Sequence, residues 1–296
     1  MSSERFNRQI ALFGEEGQVR LAKVRCVIIG IGGLGTYLVQ QLSLLGVRSF
    51  FLIDDEDLSE SNRNRYIGVR YNDPVPGFRK VDLGERIARE IDPTIAIEKI
   101  CDSFVSEAGF AAIRSGDVVF GCVDLEGARL ILNDVCTAYG RSYIDLASDV
   151  IPGDQPEYGG RICVSMNGDG CIQCLGVLDT KEAGADLAGE AERRNRRALY
   201  GVDRKLLGQT GPSVVSINGT IVSLAVTEFM VAVTNLRDPR RLLTYKGSTG
   251  KVFASVDMPP ADCYFCKGRW NLGATAHVEQ YLRDGTTDRL RQNKSE

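Results

Sequence analysis

The sequence contains a single histidine, His277, close to its carboxyl end. A serine–histidine–aspartate triad or a histidine base inside the core is therefore nearly excluded, because both place an imidazole beside the reacting group. Any chemistry in this chain has to depend on carboxylates, arginine, lysine, backbone amides, cysteine or a metal ion.

Long apolar runs and charge of one sign are also scarce. The most apolar stretch, residues 214–233, carries Ser216, Asn218, Ser223 and Glu228, which predicts a buried helix rather than a membrane span. The first residues are polar and do not have the pattern of a signal peptide. The formal net charge of −3 favours neither nucleic acid nor an anionic membrane. We therefore expect a cytoplasmic protein that binds no nucleic acid and no membrane.

Strand and helix patterns alternate through residue 147 of the 296-residue chain. Short β-branched or apolar runs predict strands, and segments with helical spacing follow them. This alternation predicts an α/β, Rossmann-like fold with a mostly parallel sheet and helices on both faces. The predicted strands are 24–29, 50–53, 95–100, 118–123 and 143–146, and the predicted helices are 37–46, 81–92, 106–115 and 126–139.

The pattern changes after residue 147. Residues 148–175 are glycine-rich and predict one short strand at 161–165, whereas 179–210 show no sustained strand signal. A long helix is expected from Pro212 to about residue 235. Residues 241–245 and 251–256 then predict an antiparallel hairpin. The fold class is thus a Rossmann-like α/β sheet with an antiparallel carboxyl-terminal extension.

A glycine loop follows the first strand directly. Gly30, Gly32 and Gly35 fit the pattern G-x-G-x-x-G between a strand and a helix, and Gly33 lies within it. Such a loop lets the backbone approach phosphates at a helix amino terminus, where free amides favour anions. The alternative is a tight strand–helix turn that binds nothing. The motif alone does not separate ATP from NAD.

An acidic run ends the second predicted strand. Asp54 lies 19 residues beyond Gly35, where a carboxylate suits the hydroxyl groups of a ribose. Glu56 in the same run is a second candidate for nucleotide binding. A solvated turn is the favoured interpretation of the other two acidic residues.

A basic cluster and a further carboxylate complete the candidate nucleotide site. Asn62, Arg65 and Lys80 lie just beyond the glycine loop and the acidic run, and guanidinium and ammonium groups there suit a polyphosphate. Ordinary solvated surface charge is the alternative. Asp124 directly follows a predicted strand, where a carboxylate is well placed for Mg²⁺. It could also cap the next helix, and the two roles can coexist.

Two C-x-x-C pairs carry the strongest metal signal. Cys171, Cys174, Cys263 and Cys266 supply four thiolates, the ligand set of a structural zinc ion, with 88 residues between the pairs. Disulfide formation and redox use are the alternatives. The remaining five cysteines are interpreted as small buried hydrophobic residues. They are Cys26, Cys101, Cys122, Cys136 and Cys163.

These motifs together resemble the MoeB/ThiF superfamily of adenylyltransferases, relatives of the ubiquitin-activating enzymes. The resemblance covers roughly residues 4–268. It depends on RFNRQIALFG (5–14), GIGGLG (30–35), SNRNR (61–65), FRK (78–80), GCVDLEGAR (121–129) and the two C-x-x-C pairs. The chain departs from the usual motif N-L-x-R-Q at Arg63 and Tyr66, and from a usual hydrophobic residue at Glu60.

The resemblance implies a reaction and a set of roles. The carboxylate at the end of a ubiquitin-like protein, or of a peptide ending in glycine, would attack ATP and release pyrophosphate. By motif position Asp54 matches the ribose-binding acid, Arg65 and Lys80 the phosphate-binding pair, and Asp124 the magnesium-associated aspartate. Arg8 matches an arginine that reaches the partner subunit's site in homodimers. The four paired cysteines match the structural zinc ligands.

The resemblance also implies a division of the chain and leaves alternatives. We expect an amino-terminal arm (1–23), a nucleotide-binding subdomain (24–147), a zinc- and substrate-binding subdomain (148–268) with a crossover loop at about 176–211, and a polar tail (269–296). The loop contains no cysteine, which favours a protein that stops at the acyl-adenylate and passes it to a sulfur donor or a conjugating enzyme. The alternatives are a full activating enzyme that forms a thioester, an inactive scaffold, and an NAD-dependent oxidoreductase.

Overall fold

Five neighbouring strands of the sheet run parallel to one another. The computed structural model of the chain describes residues 3–166, 168, 170–188, 213–283 and 285–295. The parallel strands are β1 Arg25–Ile29, β2 Ser49–Ile53, β3 Ala96–Ile100, β4 Val118–Gly121 and β5 Ser142–Ile151. Their order is β3-β2-β1-β4-β5. The chain builds outwards from β1 on one side and returns to build β4 and β5 on the other, so a crevice opens beyond the carboxyl ends of the neighbouring strands β1 and β4.

Helices cover both faces of this sheet. One hydrophobic cluster joins the sheet to residues from α2, α3 and α7, and a second joins the other face to α4 and α5. The predicted Rossmann-like α/β fold with helices on both faces is therefore confirmed. The helices are α1 Ser3–Lys23, α2 Gly33–Leu45, α3 Lys80–Ile91, α4 Glu107–Ser115, α5 Glu126–Ala138, α6 Thr180–Leu187, α7 Val215–Thr234, α8 Tyr264–Lys267, α9 Gln280–Arg283 and α10 Thr286–Ser295.

Three antiparallel strands extend the same sheet past β5. They are β6 Glu157–Ser165, β7 Leu242–Lys246 and β8 Lys251–Ala254, so the predicted carboxyl-terminal hairpin is confirmed. The predicted strands at 143–146 and 161–165 were too short. The first part of β6 was not predicted because it contains Gly159 and Gly160, and glycine is depleted in strands generally. A Cβ on Gly160 would lie 2.2 Å from the carbonyl oxygen of Ala147, so the close approach of β5 and β6 needs glycine there.

The apolar helix α7 lies between the sheet and α1. By length and composition alone it is long enough to cross a membrane, but more than half of its apolar window is buried inside the protein. Phe229 packs edge-on against Phe120 of β4, with ring centroids 5.5 Å apart. The buried Glu228 of α7 accepts hydrogen bonds from both terminal nitrogens of Arg237, at 2.7 and 2.8 Å. These contacts agree with the predicted buried helix.

Both ends of the described chain are packed. The segment predicted as an amino-terminal arm is the helix α1, which changes direction at Gly14 (φ 74°). The segment predicted as a polar tail buries Val278 and Tyr281 in the second hydrophobic cluster. The indole of Trp270 and the hydroxyl of Tyr281 both donate to one oxygen of buried Asp134 on α5, at 2.5 and 2.9 Å. A few well-placed aromatic residues thus anchor a segment whose composition is polar.

Candidate active site

The crevice between β1 and β4 opens into a cavity of about 760 Å³. This volume lies in the range of sites for small molecules and cofactors. Most of the residues predicted to bind ATP line this cavity together, although they are spread over nearly one hundred positions of the sequence. These residues are Gly30, Gly32, Gly33, Asp54, Glu56, Arg65, Lys80 and Asp124.

The glycine loop is shaped by close backbone approaches. Gly30 has φ +90°, and a Cβ there would lie 2.7 Å from the carbonyl oxygen of Cys122. A Cβ on Gly33 would lie 2.4 Å from the side-chain amide nitrogen of Asn218. Helix α2 begins at Gly33 with no side chain capping its first turn, which leaves amide groups available to an anion. Gly35 does not line the cavity; a Cβ there would meet the carbonyl oxygen of Gly30 at 2.1 Å.

Asp54 holds the glycine loop in place. Its carboxylate accepts hydrogen bonds from the amide of Ile31 at 2.7 Å and from the amide of Glu56 at 2.9 Å. Burial raises the pKa of Asp54 more than the nearby Lys80 ammonium lowers it, so the balance lies above the usual value. A carboxylate with two oxygens can still accept from a ribose hydroxyl beside these amides.

Lys80 and Arg65 place two positive charges beside one aromatic ring. The ammonium of Lys80 bonds the carboxylate of Glu56 and lies 5.7 Å from the ring centroid of Tyr66. The guanidinium of Arg65 lies 5.5 Å from the same centroid. Burial alone would lower the pKa of Lys80. Its neighbours Asp54, Tyr66 and Glu56 raise this pKa by a larger amount, so the net pKa lies above the usual value for lysine. Tyr66 was not predicted from the sequence, where it stands only as a departure from a motif.

Asp124 lies on the cavity wall and does not cap the helix that follows it. The helix α5 has Leu125 at its N-cap position without a side-chain hydrogen bond. Instead, Asp186 of α6 accepts a hydrogen bond from the amide of Gly127 at 2.9 Å. The alternative interpretation of Asp124 as an N-cap is therefore wrong, because a side chain distant in sequence provides the cap. The Asp124 carboxylate borders the cavity, as a magnesium-associated carboxylate requires.

Two other predicted site residues lie away from the cavity as the described residues form it. Asn62 is buried, and its side-chain oxygen accepts from the amide of Ser59 at 2.9 Å. It closes a short turn at Glu60–Asn62 that precedes Arg65. Arg8 is exposed on α1. The structure thus assigns Asn62 a local role in shaping the loop, and leaves Arg8 outside the cavity of its own chain.

The two C-x-x-C pairs meet in space. The sulfur atoms of Cys171, Cys174, Cys263 and Cys266 all lie within 4.8 Å of one another. The Sγ–Sγ distances are 3.5 Å from Cys171 to Cys174 and 3.6 Å from Cys174 to Cys266. A tetrahedral ion with metal–sulfur bonds of about 2.3 Å needs sulfur atoms about 3.8 Å apart. This cluster can therefore hold a metal ion, and none of the four thiols is in a disulfide.

The other cysteines are mostly buried, with one exception. Cys26, Cys136 and Cys163 are buried, and Cys122 is half-buried. Burial raises the pKa of each of these four thiols. Cys101 is exposed, so its interpretation as a core residue is wrong. It directly follows β3, which is the edge strand of the sheet.

The family model described as the ThiF family matches residues 6–267, which is most of the chain. The chain belongs to the ThiF family. The resemblance carried by the short motifs is thereby confirmed.

Several relatives of this ThiF-family chain are known. Protein HesA, vegetative, from Trichormus variabilis is 30% identical over 246 residues, which cover 80% of this chain and 78% of that protein. Adenylyltransferase and sulfurtransferase MOCS3 from Drosophila yakuba is 25% identical over 292 residues, which cover 96% of this chain but 58% of MOCS3. The SAMP-activating enzyme E1 from Haloferax volcanii is 33% identical over 140 residues, covering 46% of this chain and 51% of that enzyme. This chain thus spans little more than half the length of MOCS3.

A solved structure shares the fold. The crystal structure of E. coli MccB with AMPCPP and SeMet MccA superposes with a TM-score of 0.66 at 14% sequence identity. The match covers 90% of this chain and 74% of MccB. At this identity the likeness concerns the fold.

A buried ion network adjoins the cavity of this ThiF-family protein. Asp145 of β5 is fully buried and accepts from Arg129 of α5 at 2.6 Å, from Arg161 of β6 at 2.5 Å and from the hydroxyl of Tyr143 at 3.0 Å. Burial alone would raise the pKa of Asp145. The two guanidinium groups lower this pKa by a larger amount, so the net pKa lies below its usual value. Arg129 and Arg161 both line the cavity. The network therefore connects α5, β5 and β6 at one point of the cavity wall.

Proposed function

We propose that this protein uses ATP to adenylate a carboxylate. The carboxylate at the end of a ubiquitin-like protein, or of a peptide ending in glycine, would attack the α-phosphorus of ATP, forming an acyl-adenylate and releasing pyrophosphate. One observation carries the proposal: a single cavity brings together a glycine loop, the acid Asp54, the cations Arg65 and Lys80, and Asp124. Membership of the ThiF family and relatives named adenylyltransferase support it.

The residues of the cavity suit this reaction. A carboxylate is already ionised at neutral pH, so no general base is required and the single histidine is no handicap. Lys80 and Arg65 would stabilise the negative charge that develops on the leaving pyrophosphate. Asp124 would hold Mg²⁺, which neutralises phosphate charge when it is bound. The amides at the start of α2 would position the phosphates.

Several small residues in the cavity wall would leave room for an extended substrate chain. Besides charged residues such as Asp149 and Arg161, the wall includes the small residues Ala147, Ser148, Gly160 and Thr244. Their small side chains leave space for an extended backbone. This shape fits a partner that ends in glycine. The name of the SAMP-activating relative points to the same class of partner.

The reaction is tested by ATP–pyrophosphate exchange in the presence of a small protein or peptide ending in glycine. We expect exchange that depends on both Mg²⁺ and that carboxylate, and no change in NADH absorbance with an oxidisable substrate. The same samples on a non-reducing gel would show no thiol-sensitive band, because the protein is proposed to pass its adenylate to a sulfur donor or a conjugating enzyme. Such a band would favour the full activating enzyme, with exposed Cys101 as its first candidate. Absence of exchange would contradict the proposal.

We further propose that the four-cysteine cluster holds structural zinc. The ion would tie residues 171–174 to residues 263–266, which no covalent bond joins. Elemental analysis of the pure protein is expected to find about one zinc per chain. Replacing Cys174 with serine should lower both the zinc content and the unfolding temperature, whereas Cys136→Ser, outside the cluster, should keep the zinc. Full zinc-free folding of the natural protein would refute this assignment.

Arg8 leads us to propose a homodimer. It is exposed on α1, away from the cavity of its own chain, so it would act in the site of the partner subunit. The variants Arg8→Ala and Asp124→Ala are each expected to lose exchange activity. Mixed and allowed to exchange subunits, they should recover up to about a quarter of wild-type activity, because hybrid dimers contain one intact site. Verified subunit exchange without recovery would contradict action across the dimer.

A cytoplasmic location remains our proposal for the compartment. Its support is the packing of α7, the most apolar helix of the described residues, inside the protein. Cell fractionation followed by detection of the protein tests it, and recovery in the membrane fraction after a salt wash would contradict it.

A further inference from the structure

A second, smaller cavity adjoins the first. It has a volume of about 50 Å³ and lies at the carboxyl ends of β1, β2 and β4. The two cavities share Gly30, Asp54, Val123 and Asp124 in their walls. The smaller cavity is therefore a side chamber of the candidate nucleotide site, on the side of Asp54.

Both apolar and charged residues line the chamber. Its walls include Ile29, Ile53, Leu125 and Ala128 from the strand ends and the start of α5. Helix α10 contributes Thr287, Leu290 and Arg291 to the lining. The chamber adjoins Asp54, the candidate ribose-binding acid, and the base of a nucleotide is attached to that same ribose.

Specific contacts hold α10 over the strand ends. Leu290 is buried in the second hydrophobic cluster, and the hydroxyl of Thr287 donates to the carbonyl oxygen of Val105 at 2.6 Å. The guanidinium of Arg291 pairs with Asp55 at 2.8 Å and with Asp102 at 3.0 Å. Asp55 follows β2 and Asp102 follows β3, so one side chain bridges two neighbouring strand ends.

The charge of Arg291 also affects the chamber. Asp55 and Asp102 both line it, and two unpaired carboxylates there would repel a ligand that carries phosphates. Arg291 neutralises this pair from the side of α10. Helix α10 thus contributes an apolar side chain, Leu290, and a compensating positive charge, Arg291, to the lining of the chamber.

We propose that α10 forms the outer wall of the subsite that binds the base of ATP. Leu290 packs on the ring, and Arg291 is a positioning residue that fixes α10 against β2 and β3. The inference rests on the proposed function, since it assigns the chamber to the nucleotide of that reaction. It makes a segment more than 230 residues from Asp54 in sequence part of the nucleotide site.

Comparing ATP with inorganic tripolyphosphate tests the proposal, because tripolyphosphate carries the phosphates without the base. Binding of each to the full-length protein is measured by calorimetry with Mg²⁺. We expect Leu290→Ala to weaken ATP binding about tenfold through lost apolar contact. Arg291→Ala is expected to weaken ATP binding by a smaller factor, about threefold, since its ion pairs are half-exposed. Tripolyphosphate binding should remain at the wild-type level in both variants.

The control variant is Asp288→Ala, which alters an exposed residue of the same helix that does not line the chamber. It should bind both ligands as the wild type does. Equal weakening of ATP and tripolyphosphate would show a general structural role and overturn the proposal. Unchanged ATP affinity in the half-exposed Arg291→Ala and in a folded Leu290→Ala would overturn it as well. If the wild-type protein binds tripolyphosphate but shows no preference for ATP, the chamber binds no base; if it binds neither, the proposed adenylation itself fails.

Discussion

Replacing Lys80 with alanine is expected to slow ATP–pyrophosphate exchange by about 10²–10³-fold, the usual loss when one charge-stabilising group is removed from a transition state. Lys80 is buried, pairs with Glu56 and lies near Asp54. Its removal would leave two carboxylates facing the nucleotide phosphates with one cation fewer. Because its neighbours raise the pKa of Lys80, it stays protonated at all pH values near neutrality, and the exchange rate should not follow a lysine titration there.

The adjacent Arg79 provides a matched control. It is exposed, pairs with Asp57 at 3.2 Å and does not line the cavity. Arg79→Ala therefore removes a positive charge one position away and should keep exchange near the wild-type rate. If both variants lost activity alike, the general charge of this segment, rather than the Lys80 ammonium, would be responsible.

The second large effect is expected at Asp145. Asp145→Ala leaves Arg129 and Arg161 without their shared carboxylate, and breaking a buried ion pair costs about 3–5 kcal/mol. Thermal unfolding of the variant should occur roughly 10 °C lower. Asp117→Ala is the control, since Asp117 pairs with Arg25 at the surface and such pairs contribute about 0–1 kcal/mol. Similar unfolding temperatures for the two variants would contradict this assignment.

The same network predicts the sign of a pH effect. The pKa of Asp145 is depressed in the folded protein, so its stabilising contribution is complete above the unfolded-state pKa of about 4 and is lost as the pH falls through the lower folded-state pKa. The difference in unfolding free energy between wild type and Asp145→Ala should therefore be constant near neutral pH and shrink below about pH 4.

The parallel half of the fold could be predicted because its signals are local. Each of its strands is an apolar run with a helix pattern after it, and the glycine loop marks the first strand–helix junction. The candidate nucleotide residues follow strand ends, and parallel strands bring those ends to one edge of the sheet. Asp54 and Asp124 could therefore be assigned to one site without a structure, whereas Lys80 was assigned to it through the basic cluster and the family resemblance.

Other parts of the site depend on contacts distant in sequence. Asp186 caps α5 from a segment sixty positions away, so no spacing near Asp124 reveals it. Asp145 and Arg161 become partners only because β5 and β6 pair, and this pairing is not visible in the sequence of either strand alone. The helix α10 has a polar composition with Leu290 as its single buried apolar residue, which leaves too weak a pattern to predict packing.

The Asp145 network has a consequence for recombining this chain with its relatives. The boundary between residues 147 and 148, which the sequence predicts to separate a parallel module from an antiparallel one, lies inside β5. The ion network crosses that junction, because Asp145 lies before it and Arg161 after it. A chimaera joined there would inherit a buried carboxylate from one parent and its counter-charge from the other. Modules of this fold can therefore be exchanged at this point only between parents that carry both members of the pair.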